Sequence, residues 1–334
     1  MKAPFPYFGA KSKVASLVWN RFGDVANYVE PFFGSGAILL GNPNKPPLET
    51  VNDIDAFIVN FWRAIQHDPE TTAIHADNPV SECDLEARHK RLCHQPGKSE
   101  FVARIKDDPD YCDTKIAGWW VWGLSSWIGT GWCQGEWYGR GEDGNHGRGT
   151  CDDAAKLPHL GDNGQGVNRK RPHLGDNGQG ACADKRNAII AYFNELADRL
   201  RHVRVCCGDW RRITGPCVTF KHGITAVFLD PPYSATDRSD CYNQESYTVA
   251  NDVREWCAEN GDNPLLRIAL CGYEGEAHHA LEKLGWDCVV WKANGGYGLQ
   301  RKDEKEYTNK LRERIWFSPA CLKNETLIEG KFDL

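Results

Sequence analysis

Ala226-Val227-Phe228-Leu229-Asp230-Pro231-Pro232-Tyr233 is the segment on which the interpretation of this 334-residue chain depends. Its first four residues form a short apolar run, which is typical of a buried parallel strand. The two prolines end that strand, because proline has no N–H to donate to a β-ladder. The sequence therefore predicts that Asp230 lies at the carboxyl end of a strand, where open α/β sheets bind their ligands.

The same segment predicts a pocket of defined shape. Proline fixes its own φ and biases the preceding residue towards extended ψ, so Asp230 and Pro231 are held in one geometry beside Tyr233. The Asp230 carboxylate and the Pro231 carbonyl both accept hydrogen bonds. The Tyr233 ring offers a face for stacking. We predict a site for a flat polar molecule with an amino group, although the tetrapeptide alone also fits a plain strand followed by a turn.

An earlier segment predicts the start of a nucleotide-binding α/β unit. A short strand at residues 28 to 30 is followed by the turn Pro31-Phe32-Phe33-Gly34-Ser35-Gly36 and by an apolar helical run, residues 37 to 40. Strand, glycine turn and helix in this order are typical of such units. The turn has neither the Gly-Lys-Ser/Thr end of a phosphate-binding loop nor a complete G-x-G-x-x-G. It therefore predicts a ligand without phosphate.

Two acidic residues follow the next predicted strand, residues 50 to 52. They lie in the sequence Asp53-Ile54-Asp55, about 20 residues after the glycine turn, where nucleotide-binding folds carry the acid that binds ribose hydroxyls. The alternative for either residue is that it caps the helix predicted over residues 56 to 66. The sequence leaves the choice between Asp53 and Asp55 open.

Further periodic segments predict an α/β domain with one sheet. Amphipathic spacing predicts helices over residues 14 to 22, 188 to 200 and 276 to 284. Apolar runs predict strands over residues 202 to 207, 224 to 229, 266 to 271, 288 to 291 and 314 to 317. With the two strands above, this makes about seven strands. We expect a Rossmann-like seven-stranded sheet with helices on both faces.

The middle of the chain, residues 68 to 184, has a different composition and weaker periodicity. Residues 119 to 137 are rich in tryptophan and glycine, and the nonamer Pro-His-Leu-Gly-Asp-Asn-Gly-Gln-Gly occurs at 158 to 166 and again at 172 to 180. Between the two copies lies Arg169-Lys170-Arg171. This pattern predicts either a basic looped surface that follows a nucleic-acid backbone or an insertion that arose by local duplication.

Composition and charge narrow the class of protein. The chain has 41% hydrophobic and 26% charged residues, as soluble globular proteins do, and no apolar run reaches the length of a membrane span. We expect a cytoplasmic protein with no membrane partner. The net charge of −6 argues weakly against nucleic-acid binding, but residues 185 to 212 contain seven Lys or Arg against three acids. A local basic face is compatible with that segment.

The 14 cysteines predict free thiols, because a chain of this size needs no disulfide framework. Four neighbouring residues have side chains that zinc sites use: Cys83, His89, Cys93 and His94. No C-x-x-C pair occurs in the sequence, however. We therefore predict that the protein binds no metal.

Taken in order, these segments resemble the Dam-like group of amino-DNA methyltransferases, which use S-adenosylmethionine. The family has an aromatic-Gly-x-Lys segment, a V-E-P-F-x-G-x-G turn, an acidic strand tip, an inserted target-recognition region and D-P-P-Y. Here these are residues 7 to 11, residues 29 to 36, Asp53, residues 68 to 184 and residues 230 to 233. Asn294-Gly295-Gly296 is similar to a later family segment, more weakly. The insertion itself departs from the family pattern.

The resemblance implies a division of the chain and a bacterial or phage origin. Residues 1 to 67 and 185 to 334 would form the catalytic domain, and residues 68 to 184 the target-recognition region. It also implies residue roles. The cofactor-binding residues would be Tyr7, Lys11, Glu30, Phe32, Gly34, Gly36, Asp53, Asp209 and Asp230. The catalytic residues, which hold the target base, would be Asp230, Pro231, Pro232 and Tyr233. Arg169, Lys170 and Arg171 are the candidate DNA contacts.

The predicted activity is methyl transfer from S-adenosylmethionine to N6 of a flipped-out adenine in double-stranded DNA. Four further possibilities remain open at the level of sequence. Cytosine N4 carries the same kind of amino group, RNA can replace DNA, and a cofactor-dependent DNA-binding protein without turnover would use the same motifs. A restriction endonuclease partner is also possible but leaves no mark on the sequence. We expect a monomer or a weak dimer.

Overall fold

The computed structural model describes residues 1–5, 11–94, 98–127, 132–133, 184–232, 249–274, 277–291 and 313–323. Its strands form a seven-stranded sheet in the order β3-β2-β1-β4-β5-β7-β6. They are β1 Asn27–Glu30, β2 Leu48–Asp53, β3 Val203–Cys207, β4 Thr225–Leu229, β5 Leu266–Tyr273, β6 Asp287–Val290 and β7 Glu313–Phe317. The predicted seven-stranded sheet is confirmed.

The sheet is parallel except at one edge. Strands β3, β2, β1, β4 and β5 pair in parallel, and β7 runs antiparallel between β5 and β6. The strand order reverses direction between β1 and β4, since β2 and β3 follow on one side and β4 and β5 on the other. At such a switch point the loops diverge and leave a crevice at the carboxyl ends of the strands.

Helices cover both faces of the sheet. They are α1 Ala15–Phe22, α2 Ala37–Leu40, α3 Ala56–His67, α4 Pro69–Ala76, α5 Glu82–His94, α6 Lys98–Asp107, α7 Thr114–Ser126, α8 Asp184–Leu200 and α9 Val249–Asn260. Because side chains alternate along a strand, Ala226 and Phe228 of β4 join one hydrophobic cluster and Val227 and Leu229 join the other. The first cluster includes residues of α1 to α8, and the second includes residues of α9.

One predicted helix has a different form. Residues 276 to 284 were expected to be α-helical, but the structure has a 3₁₀-helix at Ala277–Leu284. His278 and Leu281 are both buried and lie three residues apart. A turn of three residues brings both to one side, where the His278 ring lies 5.1 Å from the Trp316 ring. The sequence prediction used the 3.6-residue period and missed this.

The described helices of the predicted insertion pack on the rest of the molecule. Residues of α4, α5, α6 and α7 belong to the same hydrophobic cluster as α3 and α8. Asn60 of α3 fixes the start of α7, since its Nδ2 donates to the Asp113 carbonyl at 2.9 Å and its Oδ1 accepts the Asp113 N–H at 2.7 Å. The division of the chain at residues 68 and 184 stays a prediction. Among the described helices, none is both long and apolar enough to cross a membrane.

Candidate active site at the carboxyl ends of the parallel strands

Four acidic residues stand at the carboxyl ends of four neighbouring parallel strands. Glu30 ends β1, Asp53 ends β2, Asp209 follows β3 after one glycine and Asp230 follows β4 directly. The order β3-β2-β1-β4 places them along one edge of the sheet, with Glu30 and Asp230 on either side of the switch point. Burial raises the pKa of Glu30, and the charges of Asp230 and Asp53 raise it further. The acidic groups of this edge are therefore close enough to influence one another's charge.

The glycine turn after β1 forms hydrogen bonds with β2 and α3. The Phe33 N–H donates to the Asn52 carbonyl at 2.9 Å, and the Gly34 N–H donates to Asp53 Oδ2 at 2.9 Å. The Gly34 carbonyl accepts a hydrogen bond from Trp62 Nε1 at 3.0 Å. Gly36 has a φ of 66°, and a Cβ there would lie 2.8 Å from the Phe33 ring. Only glycine fits this turn without strain.

The structure separates the roles of the two acids that the sequence left open. Asp55 caps α3, because its Oδ1 accepts the Phe57 N–H at 2.8 Å. Asp53 does not cap the helix. Its two carboxylate oxygens accept the N–H groups of Gly34 and Asp55, both at 2.9 Å. Asp53 is therefore the acid that contacts the glycine turn.

The environment of Asp53 alters its titration. Burial raises the pKa of Asp53 to about 7, although the N–H groups of Asp55 and Gly34 favour the carboxylate and oppose this shift. Near pH 7 the side chain thus exchanges readily between its acid and carboxylate forms. A ligand that donates hydrogen bonds to Asp53 would favour the carboxylate.

Glu30 is more deeply buried than the other three acidic residues at the strand ends, Asp53, Asp209 and Asp230. It is 2% exposed, and Tyr28 Oη donates a hydrogen bond to its Oε2 at 2.8 Å. This hydrogen bond favours the carboxylate and so opposes the effect of burial on the pKa of Glu30. Tyr28 belongs to the same strand two residues earlier, so β1 itself fixes the orientation of this carboxyl group.

Asp230 forms a buried ion pair with a residue from the start of the chain. Lys11 Nζ lies 2.9 Å from Asp230 Oδ2, and the lysine side chain is 3% exposed while that of Asp230 is 21% exposed. Burial lowers the pKa of Lys11, but Asp230, Cys271 and Glu313 together raise it by more, so the net shift is upward. Lys11 is therefore protonated at neutral pH. Its Nζ also lies 5.9 Å from the centre of the Trp291 ring.

Two residues of this edge were missed by the sequence analysis. Asn52 Nδ2 donates to the carbonyls of Pro31 at 3.1 Å and Gly208 at 2.9 Å, which joins the ends of β1, β2 and β3. No sequence pattern singles out Asn52, because Glu49 and Thr50 of the same strand are also polar. Glu313 begins β7, and burial raises its pKa while Lys11 lowers it. No sequence motif marks Glu313.

Asp209 lies at the far end of the row and is more exposed. Its Oδ1 accepts the Arg211 N–H at 2.9 Å and so caps the 3₁₀-helix Trp210–Ile213. The Arg211 guanidinium lies 3.4 Å from Asp209 and 2.8 Å from Asp252 of α9. A cavity of about 350 Å³ beside it is lined by Trp210, Arg211, Asp252 and Trp256, among others. That cavity does not include Glu30, Asp53 or Asp230.

Phe32 and the two prolines complete the described part of the predicted site. The Phe32 ring lies 6.3 Å from the ring of Trp210, so the aromatic residues after β1 and β3 face each other. Pro231 is buried and Pro232 is half-buried. The other predicted site residues lie outside the described part of the chain: Tyr7, Arg169, Lys170, Arg171 and Tyr233.

The fold is an α/β fold with a row of acidic residues at the carboxyl ends of its parallel strands. We compared the sequence with models of known protein families. Residues 7–99 match the model of the D12 class N6 adenine-specific DNA methyltransferases. The match confirms the predicted recognition and the predicted class of enzyme, a DNA adenine-N6 methyltransferase. No curated protein matches the chain.

The matched segment contains half of the candidate site. It includes Lys11, the glycine turn, Asp53 and α3, and it runs past residue 67, where the catalytic domain was predicted to be interrupted. Asp209 and Asp230 lie outside it. The link between the two halves is the parallel sheet itself and the ion pair from Lys11 to Asp230.

Proposed function

We propose that the carboxyl edge of the sheet binds S-adenosylmethionine together with an adenine flipped out of double-stranded DNA. The Lys11–Asp230 pair at the switch point, next to Glu30 and Asp53, is the observation that carries this proposal. It supports a site in which the cofactor lies over β1 and β2 and the base lies over β4. The family match gives the reaction, and the proposal adds which residues perform it.

The acids and glycines of this edge suit that cofactor. S-adenosylmethionine supplies an electrophilic methyl group on a positively charged sulfonium, and it carries no phosphate. In the proposal, Asp53 accepts hydrogen bonds from the ribose hydroxyls, and Asp209 faces the cofactor's adenine. Glu30, Phe32, Gly34 and Gly36 line the pocket. Tyr7 and Lys11 contact the methionine end.

Lys11 has a second role in this proposal. Its ammonium group is 2.9 Å from Asp230 Oδ2, so it holds that carboxylate in one orientation. Because Lys11 is buried and charged, breaking its contact with Asp230 costs more than breaking a surface ion pair. Lys11 thus joins the cofactor half of the site to the catalytic half.

Asp230 and Pro231 act on the amino group of the base. The exocyclic nitrogen of adenine is a poor nucleophile, because its lone pair is delocalised into the ring. Hydrogen bonds from this NH2 to the Asp230 carboxylate and the Pro231 carbonyl favour a tetrahedral nitrogen with a localised lone pair. With S-adenosylmethionine bound, this nitrogen would take the methyl group as the carbon–sulfur bond breaks, and it would then lose one proton to solvent. Positioning of the two reactants can lower the barrier by about 7–11 kcal/mol.

A base inside a duplex cannot reach such a pocket, so the target nucleotide is flipped out. We propose that Tyr233 stacks on the flipped adenine, a contact of about 1–3 kcal/mol. Arg169, Lys170 and Arg171 are proposed to contact phosphates, which position the duplex without reading its sequence. A monomer or weak dimer, a cytoplasmic location in a bacterial or phage-infected cell, and an endonuclease partner remain predictions.

Product analysis tests this function. Plasmid DNA is incubated with the full-length protein and S-adenosylmethionine, digested to nucleosides and analysed by mass spectrometry. We expect N6-methyladenine with the wild-type protein and almost none with Asp230→Asn. N4-methylcytosine would indicate the alternative base, and methyl groups found only on added RNA would indicate the alternative polymer. Tight DNA binding without any methylated nucleoside would indicate a binding protein.

A further inference from the structure

A second group of chemically active side chains lies in the predicted target-recognition region. His89, Cys93 and Cys133 bring one donor atom each within 4.8 Å of one another. All three are buried, with exposures of 2%, 7% and 1%. None of them takes part in the site described above. Buried thiols and imidazoles gathered at one point are the usual ligands of a soft divalent cation.

The local structure explains why these three residues meet. His89 and Cys93 are four residues apart on α5 and therefore share one face of the helix. Cys133 follows α7 in the chain, and its neighbour Trp132 contacts that helix. Trp132 Nε1 donates to the Trp120 carbonyl at 2.9 Å. A Cβ on Gly123 would come within 1.9 Å of the Trp132 ring, so α7 provides a glycine where the ring lies.

The distances are close to those of a coordination sphere. Cys93 Sγ lies 3.8 Å from each ring nitrogen of His89. Ligand bonds to tetrahedral zinc of about 2.0–2.1 Å from nitrogen and 2.3 Å from sulfur place those two atoms about 3.6 Å apart. Because Cys93 Sγ is equidistant from both nitrogens, the ring must turn for one nitrogen to share an ion with it. The ring stacks on Trp127 at 4.9 Å and 19°.

The tautomer of His89 favours one nitrogen as the ligand. The Cys133 N–H points at His89 Nδ1 at 3.3 Å. For Nδ1 to accept this bond, the proton of the neutral ring must be on Nε2. The same tautomer leaves the Nδ1 lone pair available to a cation that replaces the weak N–H contact.

We propose that His89, Cys93 and Cys133 bind a Zn²⁺ ion that ties α5 to the segment after α7. Two thiolates and one divalent ion sum to zero charge, so burial of the complete site costs far less than burial of a single charged thiolate. The prediction from sequence that no metal binds rested on the missing C-x-x-C pair. His89 and Cys93 form an H-x-x-x-C pair, which is a weaker sequence signal for zinc than C-x-x-C. Cys133 is 40 residues further along the chain, and only the fold brings it to that pair. Cys83, also considered from the sequence, is exposed and does not belong to this group.

Metal analysis of the full-length protein tests this proposal. The purified protein is treated with a chelator, reconstituted with Zn²⁺ under reducing conditions, dialysed and analysed for metal by mass spectrometry. We expect about one equivalent of zinc and an affinity at least about tenfold lower in Cys93→Ser and in Cys133→Ser. Cys83→Ser, from the exposed side of the same helix, is the matched control and should keep its zinc. Circular dichroism verifies that each variant is folded.

Cobalt provides a second readout that does not need a stable variant. Co²⁺ bound by thiolates absorbs in the near ultraviolet, so titration of the wild-type protein reports sulfur ligation directly. Chelation should also lower the melting temperature of the wild-type protein, since a ligand that binds the folded state stabilises it. Absence of the thiolate band, a Cys93–Cys133 disulfide in the metal-free protein, or zinc retained equally by all variants would overturn the proposal.

Discussion

The two halves of the candidate active site are held in different ways. The turn after β1 is fixed by several hydrogen bonds from neighbouring strands, through Phe33, Gly34 and Asn52. Asp230 after β4 forms an ion pair with Lys11, which comes from the start of the chain. The position of the turn after β1 follows from the pairing of β1 with β2, and several hydrogen bonds hold it, so the loss of one leaves the others. The ion pair brings together two opposite charges from distant segments, so we expect substitutions there to have larger effects on activity.

The largest effect is expected at Asp230. Asp230→Asn keeps the size of the side chain but removes the negative charge and can present an NH2 to the target amino group. Loss of one preorganised electrostatic group lowers rates by about 10²–10³ in other enzymes. Single-turnover methyl transfer should fall by at least that factor, while calorimetry should give a nearly unchanged affinity for S-adenosylmethionine.

Tyr233→Phe is the control for this variant, because stacking on the base survives the loss of the hydroxyl group. It should retain much more activity than Asp230→Asn. Methyl transfer by Asp230→Asn within a few fold of wild type, at saturating DNA and cofactor, would mean that the base binds elsewhere.

A smaller effect is expected in the cofactor half. Asp53→Ala should weaken S-adenosylmethionine binding by about 1.5–3 kcal/mol, the range for hydrogen bonds to a charged group. That is about a tenfold to hundredfold change in Kd, measurable by calorimetry. Asp55→Ala is the matched control, since Asp55 caps α3. It should lower the free energy of unfolding by about 1 kcal/mol and leave cofactor affinity nearly unchanged. The opposite result would exchange the roles of the two acids.

The raised pKa of Asp53 predicts a pH dependence in the same half. The ribose hydroxyls need the carboxylate as acceptor, so affinity should be full above the pKa of about 7 and should fall as the pH drops through it. The limiting slope is about tenfold per pH unit. The folded pKa lies above the usual value of 3.8. The contribution of Asp53 to the stability of the ligand-free protein should therefore increase as the pH falls from about 7 towards that value.

Asp53→Asn cannot titrate at this position and serves as the control. Calorimetric titrations between pH 5.5 and pH 8.5, a window of roughly 1.5 units around the pKa, should give a flat profile for this variant. If the wild-type protein gives the same flat profile, another group binds the ribose.

The smallest effect is expected for substitutions in the predicted insertion, which should alter DNA binding. If Arg169-Lys170-Arg171 binds phosphates, replacing all three with Ala should weaken binding to any duplex. The slope of log affinity against log salt should become less steep by about 0.9 for each phosphate that the variant no longer neutralises. Fluorescence anisotropy at several salt concentrations measures this slope. An equal slope in the variant and the wild-type protein would show that the segment binds no phosphate.

Much of this protein was already determined by local sequence. An apolar run predicted β4, whose five residues are all buried, because a strand buried on both faces needs consecutive apolar residues. The prolines after Asp230 and the glycines after Glu30 marked the strand ends, because only certain backbone angles are open to those residues. The same residues carried the resemblance to amino-DNA methyltransferases, which the family match confirms.

The tertiary structure decided what local patterns leave open. Asp53 and Asp55 look alike in sequence, and only the packing of the glycine turn against β2 shows which one caps the helix. Lys11 meets Asp230, and Cys133 meets His89, through contacts between residues far apart in the chain. Such contacts depend on strand order and helix packing. The sequence shows which residue types are present but not which of them meet, because backbone periodicity relates only positions that are close in the chain.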